Sequence, residues 1–190
     1  MTSISIIGTG GMGQAIASVA GRGGHDVQSI AHEDTSEATG DIVVLAVPYP
    51  AVSQILSQRG ESFAGKIVVD ITNPVDFETF DSLSVPADSS AAAEIAAKVP
   101  DAKVLKAFNT TFAATLAQGK VGELTTTVLI AGDDADAKAT LAEVVTSGGL
   151  RAIDVGSLKR ARELEAMGFL QITLAAAEKL PWTAGFGVVS

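Results

Sequence analysis

The chain has 190 residues, 47% of them apolar, with two histidines, no cysteine and a formal net charge of −9. That length suits one sizeable core rather than two full domains. The lack of cysteine excludes disulfides, thiolate nucleophiles and Cys-ligated metals, and His25 and His32 alone make no convincing metal site. The acidic balance argues against a nucleic-acid or anionic-membrane surface. With no bilayer-length apolar run and no basic-then-apolar leader, a soluble, cytoplasmic protein is expected.

The N-terminal stretch sets the architecture. An apolar strand, Ile4-Ser5-Ile6-Ile7, runs into Gly8-Thr9-Gly10-Gly11-Met12-Gly13 and then into a helix with Met12, Ala15, Ile16, Val19 and Ala20 at helical spacing. Arg22 and Gly23-Gly24 close that helix. Strands are predicted over 25–30 and 42–47, the second a continuous apolar run suited to a parallel strand covered on both faces. Between them Ala31 to Asp41 leave room for no more than about one turn of helix. A short helix over 51–58 and a strand over 66–71 follow, the latter ending in Thr72-Asn73-Pro74. After a loop rich in Asp, Ser and Pro, Ser89 or Ser90 caps another helix.

Further strands are expected over 103–107, 126–131 and 151–155, with a helix from Ala135 to about Ser147 and a long one from about Leu158 to Lys179, ahead of Pro181. This alternation predicts an α/β fold, a doubly wound, mainly parallel Rossmann sheet in a single domain over 1–190, with a long C-terminal helix.

In such a sheet ligands lie beyond the carboxyl ends of the strands. The first glycine of the turn permits its tightness, Gly10 lets backbone approach a pyrophosphate, and Gly13 lets helix pack on strand. The helix N-terminus favours the anion. The other loops at that edge are Ala46-Val47-Pro48-Tyr49, Thr72-Asn73-Pro74 and Phe108-Asn109-Thr110. They hold no nucleophile with an adjacent base and no paired carboxylates. Neutral walls suit hydride transfer, which depends on positioning and exclusion of water.

The choice between NAD and NADP falls to Ala31-His32-Glu33-Asp34-Thr35-Ser36. No Lys or Arg occurs between Arg22 and Arg59, so an extra phosphate would meet His32, Ser29, Thr35 or Ser36. An inward Glu33 or Asp34 would favour NAD. The wide apolar surface of the last helix, with Leu164, Met167, Phe169, Leu170, Ile172 and Leu174, predicts a share in a dimer interface. Lys159, Arg160 and Arg162 read as surface charge paired with Glu163 and Glu165, or, more sharply, as a place where Arg162 helps hold an acidic acceptor tail.

Taken together, the motifs resemble the NADP-dependent oxidoreductases of the deazaflavin coenzyme F420, a family sharing a domain type with membrane ferric reductases. The resemblance spans nearly the whole chain and rests on Ile6 to Gly13, Ala46-Val47-Pro48, Asn73-Pro74, Ser89-Ser90-Ala91-Ala92-Ala93-Glu94, Gly156-Ser157-Leu158, Ala161-Arg162 and Leu164-Glu165. It implies direct hydride transfer between NADPH and a planar flavin-like ring in a metal-free homodimer.

Gly8, Thr9, Gly10, Gly11, Met12 and Gly13 would then follow the pyrophosphate. Ala31 and His32 would lie by the adenosine ribose, where the family usually carries Ser or Thr followed by Arg. Ala46, Val47, Pro48 and Asn73 would line the nicotinamide side. Asn73, Pro74, Phe108, Asn109, Thr110 and Trp182 would border the acceptor, coenzyme F420 or a flavin. Alternative readings are reduction of a free flavin, quinone or ferric chelate, and a non-catalytic NADP(H)-binding sensor.

Overall fold

The structure, a computed structural model, describes residues 1–31 and 33–189. Strand β1 (Ser3–Ile7) leads through the glycine turn into helix α1 (Gly11–Arg22), followed by β2 (Asp26–Ile30), β3 (Ile42–Leu45) and α2 (Tyr49–Arg59). Then come β4 (Ile67–Asp70), α3 (Ala91–Lys98), β5 (Lys103–Lys106) and α4 (Ala113–Gln118). A hairpin of β6 (Lys120–Val121) and β7 (Leu124–Thr125) precedes β8 (Thr127–Gly132), α5 (Ala135–Ser147), β9 (Arg151–Gly156) and α6 (Ala161–Ala176). Apart from the hairpin, the strands form one seven-stranded sheet in the order β2-β1-β3-β4-β5-β8-β9.

The first five strands pair in parallel. Strand β8 runs antiparallel to β5, with Leu105 opposite Gly132 and Lys106 opposite Ala131, and β9 is parallel to β8. The reversal follows from the connection. A parallel crossover needs a segment that returns along the whole sheet, usually a helix, whereas the six residues of α4 rise only about 9 Å and the hairpin follows at once. The chain therefore stays at the carboxyl edge of β5, makes the hairpin and runs back down as β8.

Each face of the sheet has its own apolar layer. One is built from Ile4, Ile6, Val44 and Leu105 under α1 and α5, with Ile16, Val19, Leu141 and Val145. The other joins Ile7, Val43, Leu45 and Val68 to Val52, Ile55 and Ile95 of α2 and α3. These two layers make the fold doubly wound.

Between β2 and β3 no helix forms among the described residues, as the short spacing requires. The extended crossover instead buries Ala38 in the second layer and is held by side chains. Gln28 Oε1 accepts from Thr39 N at 3.2 Å, Arg59 donates to the carbonyls of Asp34 and Ser36, and Lys66 donates to that of Ala38.

The expected long final helix is divided: Leu158–Arg160 form a 3-10 turn and α6 stops at Ala176. Glu178 takes φ 57°, the left-handed conformation that ends a helix, before Pro181 is reached. No helix among the described residues is long and apolar enough to cross a membrane.

Candidate functional site

The glycine turn separates what the fold needs from what a ligand needs. Gly8 has φ 117°, and a Cβ there would lie 2.1 Å from Ala46 O. A Cβ on Gly13 would lie 2.0 Å from Gly8 O. Both contacts are with backbone, so these two glycines let β1, β3 and α1 approach one another. Gly10, with φ −71°, is different: a Cβ there would meet nothing within 4 Å. Space is left beside it for something outside the chain.

Helix α1 begins at that point with Gly10 as N-cap, no side-chain cap and no acidic residue in its first turn. The opening amides, among them Gly11 and Met12, and the positive end of the helix are thus left for an anion. Helices α3 and α5, by contrast, are capped by Ser90, accepting from Ala93 N, and Asp134, accepting from Ala137 N. Gln14 Nε2 donates to Thr9 O at 2.9 Å and steadies the loop.

At the end of β3, Ala46 N donates to Ile7 O at 2.8 Å, placing this turn against the glycine loop. Ala46 is half-buried and Pro48, the N-cap of α2, is exposed. Val47 is 7% exposed and packs into the second apolar layer, so its side chain faces the core, while the half-buried Ala46 packs against the first layer.

The ends of β4 and β5 are joined by an amide pair. Asn73 Nδ2 donates to Asn109 O at 2.9 Å, and Asn109 Nδ2 donates to Asn73 Oδ1 at 2.9 Å and to Leu164 O of α6 at 2.8 Å. A Cβ on Gly168 would come 2.2 Å from Asn73 Oδ1, so α6 lies directly on the pair. Pro74 is buried and its carbonyl accepts from Ser84 N. Thr110 is buried beside the pair.

The expectation that Phe108 borders the acceptor is corrected. Its side chain is 1% exposed within the first apolar layer, because φ 63° turns the backbone to project Asn109 toward Asn73 while the ring stays inside. The exposed Trp182 packs against Phe112, ring centroids 5.1 Å apart, on the α4 side of the molecule.

Beneath the amide pair lies a charge cluster that sequence reading missed. Lys106 Nζ donates to Asp70 Oδ2 at 2.8 Å and to Thr72 O, and forms an ion pair with Glu165 Oε1 at 2.9 Å. Asp70, Lys106 and Glu165 are all fully buried. The Glu165 carboxylate also accepts from Ala91 N and Ala92 N at the start of α3. Burial pushes the Glu165 carboxyl above the usual carboxylate range, against the opposing pull of the Lys106 ammonium.

The reading of Glu165 as a surface partner of the basic residues is thereby corrected: it faces inward, and Arg160 pairs with Glu163 at 3.1 Å. A signal for the cluster did exist. Asp70 and Lys106 are opposite charges ending two apolar strands, and they stand in register.

After β2, Ala31 is exposed, and His32 falls outside the described residues. Asp34 Oδ1 accepts from Ser36 N at 2.8 Å and Ser36 Oγ at 2.7 Å, hydrogen bonds that lower its pKa. That oxygen is thus engaged within its own turn. Ser29, Thr35 and Ser36 are exposed. Arg59, the last residue of α2, reaches this segment: its guanidinium donates to Ser36 O at 3.0 Å and to Asp34 O, and so braces the crossover. Lys159, Arg160 and Arg162 line a separate groove of about 460 Å³ with Asp88, Ser89 and Asp133, and none of the glycine-loop residues takes part.

An F420-dependent NADP reductase of Methanocaldococcus jannaschii is 31% identical over 153 residues, covering 78% of this chain and 68% of the relative. The chain belongs to the coenzyme F420-dependent NADP oxidoreductase family. The family's sequence model, described as NADP oxidoreductase coenzyme F420-dependent, matches residues 21–74. A crystal structure from Arthrobacter sp. FB24, provisionally assigned as an F420-dependent NADP-reductase, superposes with a TM-score of 0.83 at 26% identity, covering 100% of both chains. Metalloreductase STEAP3 of Rattus norvegicus is 30% identical over 159 residues, which are 84% of this chain and 30% of that protein. As a member of the F420-dependent family the chain is an NADP-dependent oxidoreductase built on one Rossmann sheet.

Proposed function

We propose that this chain transfers a hydride between NADPH and the deazaflavin ring of coenzyme F420. The observation that carries the reading is the uncapped start of α1 beside the open face of Gly10, adjoining an edge walled by Ala46, Pro48 and Asn73. The α1 amides would hold the pyrophosphate, and Ala46 and Pro48 would form the floor for the nicotinamide. The Asn73–Asn109 pair would limit how far the acceptor ring can slide. NADPH, when bound, would supply a hydride from its nicotinamide ring and be left as NADP+, and the acceptor ring would take up that hydride, hydrogen and electron pair together, with one further proton from solvent. The protein's part is to align two faces and exclude water, for which neutral walls suffice.

NADP rather than NAD is supported by the family. On this reading the working form is a homodimer, with the 52% exposed Leu170 of α6 contributing to the interface. A second acceptor class, a metal chelate such as a ferric chelate, draws support from the metalloreductase relative.

One experiment separates these readings. Purified protein is titrated with NADPH and NADH by fluorescence, then mixed with coenzyme F420, free flavin or ferric chelate while nicotinamide oxidation is followed. Turnover on F420 is expected. Turnover confined to flavin or iron would reassign the acceptor, tight binding without turnover would indicate a sensor, and absence of nucleotide binding would defeat every version.

A further inference from the structure

The buried ion cluster and the amide pair form one closed circuit. From Lys106 it passes to Thr72 O, along the chain to Asn73, across to Asn109, over to Leu164 O of α6, along the helix to Glu165, and back to Lys106. An ammonium has three N–H donors; Lys106 uses two of them on Asp70 and Thr72, and its charge faces Glu165 Oε1 at 2.9 Å. The Thr72 peptide is held on both sides, because its N–H also donates to Asp70 Oδ1 at 2.8 Å. Its rigidity passes directly to Asn73.

We propose that Lys106, Asp70 and Glu165 are positioning residues that seat α6 on the ends of β4 and β5, and so fix the Asn73–Asn109 pair at the depth hydride transfer requires. This rests on the reading of that edge as the acceptor side.

Three observations favour positioning over simple stabilisation. Burying two carboxylates and an ammonium contributes little net stability compared with apolar residues of the same volume, so a charged cluster is a poor way merely to hold a helix down. Its bonds are directional and end on the peptide before Asn73 and on the residue after Leu164, the two anchors of the amide pair. Glu165 also takes the first two amides of α3, so the position of α6 is referred to a third element. Reacting carbons must meet at roughly 3–3.5 Å, and a displacement of about 1 Å costs on the order of 100-fold in rate, which makes a defined wall valuable at this edge.

The test is Glu165→Gln, which keeps the side-chain volume and an acceptor for α3 but removes the charge facing Lys106. NADPH affinity should stay within about twofold, because the glycine loop makes no contact with the circuit, while single-turnover hydride transfer should slow by roughly tenfold. Amide exchange at Thr72, Asn73 and residues 109–111 should quicken. A lower melting temperature with the hydride-transfer rate intact would overturn the proposal.

Should Glu165→Gln fail to fold, Gly168→Ala decides. Its methyl displaces the same amide pair without touching any charge, and an unchanged hydride-transfer rate there would equally overturn the proposal. If the parent protein binds NADPH yet reduces no acceptor, the functional reading fails by itself. The exchange measurement then decides on positioning: faster exchange at Asn73 and Asn109 in the variant supports it and unchanged exchange refutes it.

Discussion

Substituting Gly10 by alanine separates the demands of the ligand from those of the fold. A Cβ at Gly10 meets nothing within 4 Å, and φ −71° suits any residue, so the methyl adds no clash within the protein. The stability cost is that of a poorer N-cap, about 0.5 kcal/mol, which in a chain of this length lowers the melting temperature by roughly 1–2 °C. The methyl does occupy the space through which a pyrophosphate would reach the α1 amides. Overpacking of that kind costs about 2 kcal/mol, equivalent to roughly 30-fold in affinity for NADPH.

Gly13→Ala is the matched control. Its Cβ would lie 2.0 Å from Gly8 O and must push α1 away from β1. Its loss should appear first in thermal stability, by about 3 kcal/mol or more. Fluorescence titration and thermal melting on both variants give the comparison. A Gly10→Ala protein that binds NADPH within about twofold of the parent would show that no phosphate approaches this loop.

Replacing Lys106 by methionine leaves two buried carboxylates facing each other and should cost about 3–5 kcal/mol, a fall of roughly 6–20 °C in melting temperature; a fall below about 2 °C would mean that the cluster is not buried as described. Acid should weaken the fold through Asp76, Asp134 and Asp154, whose pKa values are lowered by hydrogen bonds from Thr79, Ala137 N and Lys138 respectively. Because the folded values lie below the ordinary 3.8, their contribution is complete above that pH and is lost as pH falls through the folded values, which denaturant melts at stepped acidic pH would detect. Sedimentation should give the mass of a dimer, and Leu170→Glu should shift it toward monomer; a monomer at every concentration would reject the homodimer.

Much of the architecture was legible because its signals are local. Continuous apolar runs marked β3 and β4, the glycine spacing marked the turn into α1, and eleven residues between strands were too few for a crossover helix. The cap of α3 was narrowed to Ser89 or Ser90 by its place before an alanine run, and the structure assigns it to Ser90. What escaped were α4, the hairpin and the reversal of β8 and β9, since strand direction depends on where a connection leaves the chain and not on the composition of the strand. Phe108 misled for a related reason: an aromatic residue at a strand end looks like a platform until the backbone takes φ 63° and keeps the ring inside.

The sequence alone determined the alternation of the larger strands and helices, the glycine turn, and the neutral character of the carboxyl edge, because strand and helix periodicity and backbone sterics act over a few residues. Only the tertiary structure decided that Glu165, 59 positions after Lys106, would meet it in the interior instead of pairing with its basic neighbours on the surface. Two residues on one sheet edge and one on a helix laid across it come together only when the sheet order is set. Burial then makes a contact between them far stronger than the same charges would have in water.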